Sequence, residues 1–198
     1  MNKYKLEEIQ KQIINCTKCS LHKTRIHPLL GDGNVNAKIV FIGEAPGYHE
    51  DRQNKAFIGA SGKILDKLLM SIQLNRNDIY ITNLLKCHPP QNHDPTEEEI
   101  KACIGYLFDQ LKIIQPIIIV SLGRFAVQQI FNFLHLTYNS ISEQHGQIFK
   151  INASYGPVIV IPMYHPATAC YNPSLFDLLQ KDFYILKKNI SKIPNNLK

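Results

Sequence analysis

Four short stretches of the chain are apolar at consecutive positions: residues 38–43, 79–83, 117–122 and 158–162. They are rich in β-branched residues and too short for buried helices. Each therefore predicts a strand covered on both faces, as in a parallel sheet. Between them the apolar spacing changes to three and four. Ile64, Leu65, Leu68, Leu69 and Ile72 mark a helix over residues 61–72. Pro95-Thr96-Glu97-Glu98-Glu99 reads as a helix start with acids in its first turn, and that helix runs towards Ile114 until Pro116 stops it. Residues 123–133 and 174–188 predict two more, and a helical pattern also opens the chain. Strands alternating with helices predict a three-layer α/β/α fold around a mostly parallel sheet of four strands, with right-handed crossovers.

Every predicted strand ends in residues with a chemistry of their own. The first runs into Gly43-Glu44-Ala45-Pro46-Gly47, and the second ends at Asn83, four residues before Cys87. The third ends at Ser121-Leu122-Gly123-Arg124, and the fourth at Pro162-Met163-Tyr164-His165-Pro166-Ala167. In open parallel sheets, sites lie in the crevice beyond the carboxyl ends of the strands. Four such ends converge on one edge. Gly59-Ala60-Ser61-Gly62-Lys63 does not make a phosphate-binding P-loop, because Phe57 and Ile64 stand where that motif needs Gly and Ser or Thr. It reads as a glycine-rich turn before a helix.

Composition adds two points. With 198 residues and 44% apolar content, the chain is expected to form a single domain over residues 1–198, with an N-terminal helical segment, which excludes a disordered or fibrous protein. Its 22 Lys and Arg against 16 Asp and Glu give a net charge of +6, which permits an acidic partner such as nucleic acid. The first residues hold no apolar run and no stretch is long enough to span a bilayer, so a soluble, cytoplasmic protein without membrane attachment is expected.

Five cysteines in a reducing compartment argue for metal ligation, catalysis or plain burial rather than disulfides. Cys16-x2-Cys19 is a ligand pair, followed by Cys87 after 67 intervening residues and Cys103 after 15 more. Four thiolates suit zinc or an iron–sulfur cluster, and spacing does not choose between them. Cys170 has no partner cysteine nearby in the chain and is expected not to be a ligand.

Taken together these residues carry a resemblance. Gly43-Glu44-Ala45-Pro46-Gly47, Glu50-Asp51 and Phe57-Ile58-Gly59-x2-Gly62 resemble the first motif block of the family 4 uracil-DNA glycosylases. Tyr80-Ile81-Thr82-Asn83-x3-Cys87 with Pro89-Pro90-Gln91-Asn92 resembles their second block, and His165-Pro166-Ala167 with Asn172-Pro173 their third. The four cysteines match the family's ligand pattern in order and spacing. Two positions depart: Tyr171 stands where an Arg is common, and His93 replaces a more usual Arg.

The resemblance implies a monofunctional hydrolase of base-excision repair that releases uracil from DNA and leaves an abasic site. It implies a 4Fe-4S cluster on Cys16, Cys19, Cys87 and Cys103. Phe57 would stack on the flipped base, Asn83 would read its O4 and N3–H, and His165 would bind O2. Glu50 would lie near C5, and the Glu44-Ala45-Pro46 turn would add contacts, with Glu44 a second catalytic candidate. The implied partner is uracil-containing DNA, single- or double-stranded, bound by a monomer. Arg52, Lys55, Lys63, Lys86 and Arg124, all beside motif turns, are candidate phosphate contacts. Three rivals stand beside this reading: a zinc-stabilised nucleic-acid module without catalysis, a relative that bonds covalently to its product, and a glycosylase of broader deaminated-base scope.

Overall fold

In the computed structural model, which describes residues 1–192, the strands and helices alternate as the apolar pattern requires. Helix α1 (Asn2–Ile14) leads to β1 (Asp32–Gly33) and β2 (Ile39–Gly43). Then follow α2 (Tyr48–Gln53), α3 (Ala60–Ser71), β3 (Tyr80–Asn83), α4 (Glu97–Ile114), β4 (Ile118–Leu122) and α5 (Arg124–Phe133). The chain closes with α6 (Ile141–Gln144), β5 (Phe149–Ala153), β6 (Gly156–Met163), α7 (Ala167–Tyr171) and α8 (Phe176–Ile190).

The sheet has six strands rather than four, in the order β1-β3-β2-β4-β6-β5. The four expected strands form its parallel centre, and the two added ones pair antiparallel at the edges. Both edge strands lack the continuous apolar run that marks a doubly covered strand. β1 is only two residues long, and β5 alternates partly buried with exposed positions, as an edge strand does.

The centre is covered on both faces because successive side chains point to opposite sides. Val40, Ile42, Ile119, Val158 and Val160 join an apolar layer with α1, α4 and α5. Ile39, Phe41, Ile118, Val120, Ile161 and Met163 join the other, with α3 and α8. Leu6, Ile9 and Ile13 place α1 inside the first layer, so the N-terminal segment is part of the core. Helix α4 starts with a reciprocal cap: Glu99 N–H donates to Thr96 Oγ1 at 3.3 Å and Thr96 N–H to the Glu99 carboxylate at 2.9 Å. It ends at Gln115, whose left-handed φ of 54° precedes Pro116.

The order of strands fixes where a ligand belongs. The chain passes from β2 outward to β3, then crosses back to β4 on the other side of β2. That reversal opens a crevice beyond the carboxyl ends of β2 and β4.

Candidate active site

The crevice is built around Gly43, the last residue of β2, which pairs in register with Asn83 at the end of β3. No side chain fits at position 43. A Cβ there would collide with Asn83 Oδ1 and lie 2.7 Å from Phe57 Cζ. The missing side chain is what lets an amide and an aromatic ring meet at this point. Asn83 is buried, and its side-chain oxygen has no hydrogen-bond partner. An orphaned buried acceptor is costly, by roughly 1–3 kcal/mol, and is expected where a ligand will supply the donor.

Phe57 holds a left-handed φ of 52°, unusual for an aromatic residue. Its surroundings impose that conformation. The Arg76 guanidinium donates to the Phe57 carbonyl and, at 2.9 Å, to the Ala56 carbonyl, and is itself anchored by Asp66 at 2.6 Å. Gly62, in the first turn of α3, packs so closely on the Phe57 carbonyl that a Cβ would collide with it. Glu50 completes the clamp: one of its carboxylate oxygens accepts from Ile58 N–H and Gly59 N–H, both at 2.8 Å. The aromatic ring is thereby fixed over the crevice, 5.4 Å from the His165 ring and inclined 30° to it.

His165 follows β6. Gly123, at the end of β4 with a φ of 83°, lets it approach, since a Cβ there would stand 3.1 Å from His165 Cβ. Its Nδ1 accepts from Ala167 N–H at 3.1 Å, so the ring proton sits on Nε2 and points away from the turn. Burial lowers its pKa to about 4, against the nearby Glu50 carboxylate, which raises it. The imidazole is therefore a neutral donor at physiological pH. Glu44, partly buried, has its carboxyl pushed upward by burial and by Asp94, with Arg124 opposing. Asp94 and Arg124 pair with each other beside it. Ala45 is partly buried and Pro46 buried in the same turn, and the Pro46 carbonyl meets His88 Nδ1 at 2.9 Å.

Cys16, Cys19, Cys87 and Cys103 line one cavity between α1, the segment after β3, and α4. Burial raises the thiol pKa of Cys19 and Cys87, and lifts that of Cys103 to about 12. Two donors already point at sulfur: Arg25 Nη1 reaches Cys87 Sγ and Lys86 N–H reaches Cys103 Sγ, both at 3.2 Å. Among the described residues, no group of three or more His, Cys, Asp or Glu closes tightly enough for a single metal ion. Cys170 is exposed on α7, away from this cavity.

A family profile described as "Uracil DNA glycosylase superfamily" matches residues 30–187. Type-4 uracil-DNA glycosylases of Archaeoglobus fulgidus and Saccharolobus solfataricus are 48% and 42% identical to the chain. The first alignment covers 90% of this chain and 89% of the relative, the second 97% and 89%. The type-4 enzyme of Sulfurisphaera tokodaii is 43% identical over 90% of this chain and 81% of its own. The chain belongs to the type-4 uracil-DNA glycosylase family.

In this family member Glu50, Phe57, Asn83 and His165 come together from segments that are far apart in sequence, and Glu44, Ala45 and Pro46 form the turn that follows Gly43. One expected phosphate contact is wrong. Lys86 is 1% exposed and cannot touch DNA; its ammonium is held by Thr82, Asn83 and Gln110. Leu84, Leu85 and Cys87 are buried on either side of it, and that apolar flanking was the signal against a surface role. Arg52, Lys55, Lys63 and Arg124 are exposed, with Arg52 lying over the Tyr48 ring at 4.4 Å. Tyr171 is 89% exposed, and His93 stands 3.7 Å from the Glu99 carboxylate. Sequence reasoning also missed the structural role of Asp51. Buried on α2, it accepts from Ile26 N–H and His27 N–H at 3.0–3.2 Å and so pins the segment after the first cysteine pair to the site helix.

Proposed function

We infer that this protein hydrolyses the N-glycosidic bond of deoxyuridine in DNA, releasing uracil and leaving an abasic site. The observation that carries the reading is the unpartnered, buried side-chain oxygen of Asn83 in a crevice walled by Phe57 and His165. A base must leave the stack to enter such a crevice. Uracil offers O4 as acceptor and N3–H as donor, and one amide satisfies both. Cytosine offers the reverse and would leave both groups badly paired. The neutral His165 donates its Nε2–H to O2, where charge grows as uracil departs, which favours the transition state over the ground state. Water attacks C1′, and no lysine is required. Glu44, whose raised pKa brings it nearer working pH, is the candidate to orient that water. The rigidly held Glu50 carboxylate supplies a wall near C5, where a thymine methyl would clash. Incubation with uracil-containing DNA, single- or double-stranded, should yield free uracil and abasic sites. DNA left intact in both forms would overturn the reading.

The four cysteines fit a 4Fe-4S cluster. They supply four thiolates around a shared cavity, with Arg25 and Lys86 N–H ready to hydrogen-bond to sulfur. When bound, the cluster supplies a structural cross-link between α1 and the centre of the fold and takes no part in the hydrolysis. The purified protein is expected to be brown with about four irons per chain. Cys87→Ala should lose iron and solubility, whereas Cys170→Ser should keep its full iron. A colourless parent holding one zinc would refute the cluster, and iron loss in Cys170→Ser would refute the ligand set.

The exposed Arg52, Lys55, Lys63 and Arg124 are the proposed grip on the DNA backbone, with the protein acting as a monomer. Lys55→Ala combined with Lys63→Ala should weaken binding for every sequence alike and flatten its salt dependence by up to about two charges. Single-turnover excision at saturating protein should stay near parental. An unchanged salt slope would remove these lysines from the interface.

A further inference from the structure

Lys86 is the one fully buried lysine among the described residues, and all its polar groups are engaged. Its Nζ donates to Thr82 Oγ1 at 2.8 Å, to the Asn83 carbonyl at 2.7 Å and to Gln110 Oε1 at 2.6 Å. An ammonium has three donors, and all three are used. Its own N–H meets Cys103 Sγ, and its carbonyl accepts from Leu29 N–H at 2.6 Å. The partners are as confined as the lysine. Gln110 is fully buried and spends its amide N–H groups on the Leu30 carbonyl at 2.7 Å and Tyr80 Oη at 3.2 Å. Thr82 donates to the same Leu30 carbonyl at 2.7 Å.

This network joins two places that the hydrolysis keeps apart. Lys86 lines the cysteine cavity, and Gln110 lies two helical turns beyond Cys103 on the same face of α4. At the other end stands Asn83, whose side chain projects into the crevice. Beyond Asn83 the backbone leaves the strand, and Leu84 and Leu85 donate to the Gly43 and Glu44 carbonyls at 2.9 Å. The angle at which the Asn83 amide enters the crevice is thus set by this short segment, and the lysine clasps its carbonyl from behind.

We propose that Lys86 is a positioning residue for base recognition, holding the Asn83 backbone so that its amide meets uracil squarely, and that it does so from the wall of the cysteine cavity. The proposal rests on the reading of Asn83 as the residue that contacts the base. Without the ammonium, three buried acceptors lose their donor at once, and the segment has reason to rearrange.

Lys86→Met keeps the length of the side chain and removes all three donors. The variant should retain its iron and its parental affinity for DNA without uracil. Single-turnover excision should fall at least about tenfold, and inhibition by free uracil should weaken by a similar factor. A purely structural lysine would instead change iron content and melting temperature, with the surviving iron-replete fraction excising uracil at the parental rate. An iron-replete Lys86→Met protein with parental excision and parental uracil inhibition overturns the proposal. Should Lys86→Met fail to fold or to take up iron, Thr82→Val decides. Valine has the same shape, suits a strand and removes one acceptor of the ammonium. Iron-replete Thr82→Val with at least about threefold slower excision and weaker uracil inhibition supports the proposal, and parental values for both overturn it. A parent protein that releases no uracil would overturn the functional reading itself, before any variant is compared.

Discussion

His165→Ala is expected to slow single-turnover uracil excision by about 10²–10³-fold, the usual effect of deleting one donor that faces developing charge. Affinity for uracil-containing DNA should stay near parental, because the lost bond strengthens only as the base departs. The variant should keep its iron, since His165 lies beyond β6 and the cysteines lie between α1 and α4. The same histidine makes a prediction about pH. Its pKa is lowered to about 4, so it should stay neutral through the working range and give the excision rate no inflection near its ordinary value of 6.5. For stability, the unfolded chain protonates this histidine near pH 6.5 and the folded chain only near 4. The folded state therefore loses ground as pH falls through that window and is unaffected above it. His165→Ala should remove that part of the acid-side loss, read as melting temperature between about pH 7 and 4. Parental excision by an iron-replete His165→Ala protein would exclude the histidine from the mechanism.

The parts of this fold that were legible in the sequence are those where one physical demand acts alone. The central strands are covered on both faces, so they are apolar without interruption, and their four runs are visible directly. The edge strand β5 satisfies two environments and alternates, and β1 is too short to carry any pattern. The crevice was legible because strand ends in a parallel sheet must converge, whatever their separation in sequence. What pins the site in place was not legible. Arg76 fixing Phe57, Asp51 reaching Ile26 and His27, and Lys86 turned inward all depend on contacts between distant segments. A lysine beside a motif turn suggests a phosphate contact until its buried neighbours are given their weight. Phe57 was readable as an aromatic near glycines, but its left-handed backbone and the two glycines that make room for its ring and carbonyl emerge only in three dimensions.

Asn83→Asp should lower uracil excision at neutral pH at least about 100-fold. The substitution changes one atom in a buried place where a side-chain oxygen already lacks a partner. Ionised, the new carboxylate can only accept, so it repels O4 while still facing N3–H. A site built to hydrogen-bond its ligand discriminates strongly when that pattern is broken, because the buried groups on both sides are left unpaired. The cytosine amino group would suit the carboxylate better than O4 does, so a weak release of cytosine is expected in its place. Acidification provides the discriminating test. Burial raises a carboxyl pKa, and once protonated the carboxyl introduced at this position would again offer one donor and one acceptor, as the amide does. Uracil excision by Asn83→Asp should therefore recover in part as pH is lowered from about 8 towards 5, while the parent, whose amide does not titrate, shows no matching rise. Release of free uracil and free cytosine from singly substituted DNA across that range measures both effects. Parental uracil release by the variant at neutral pH would mean that Asn83 does not read the base.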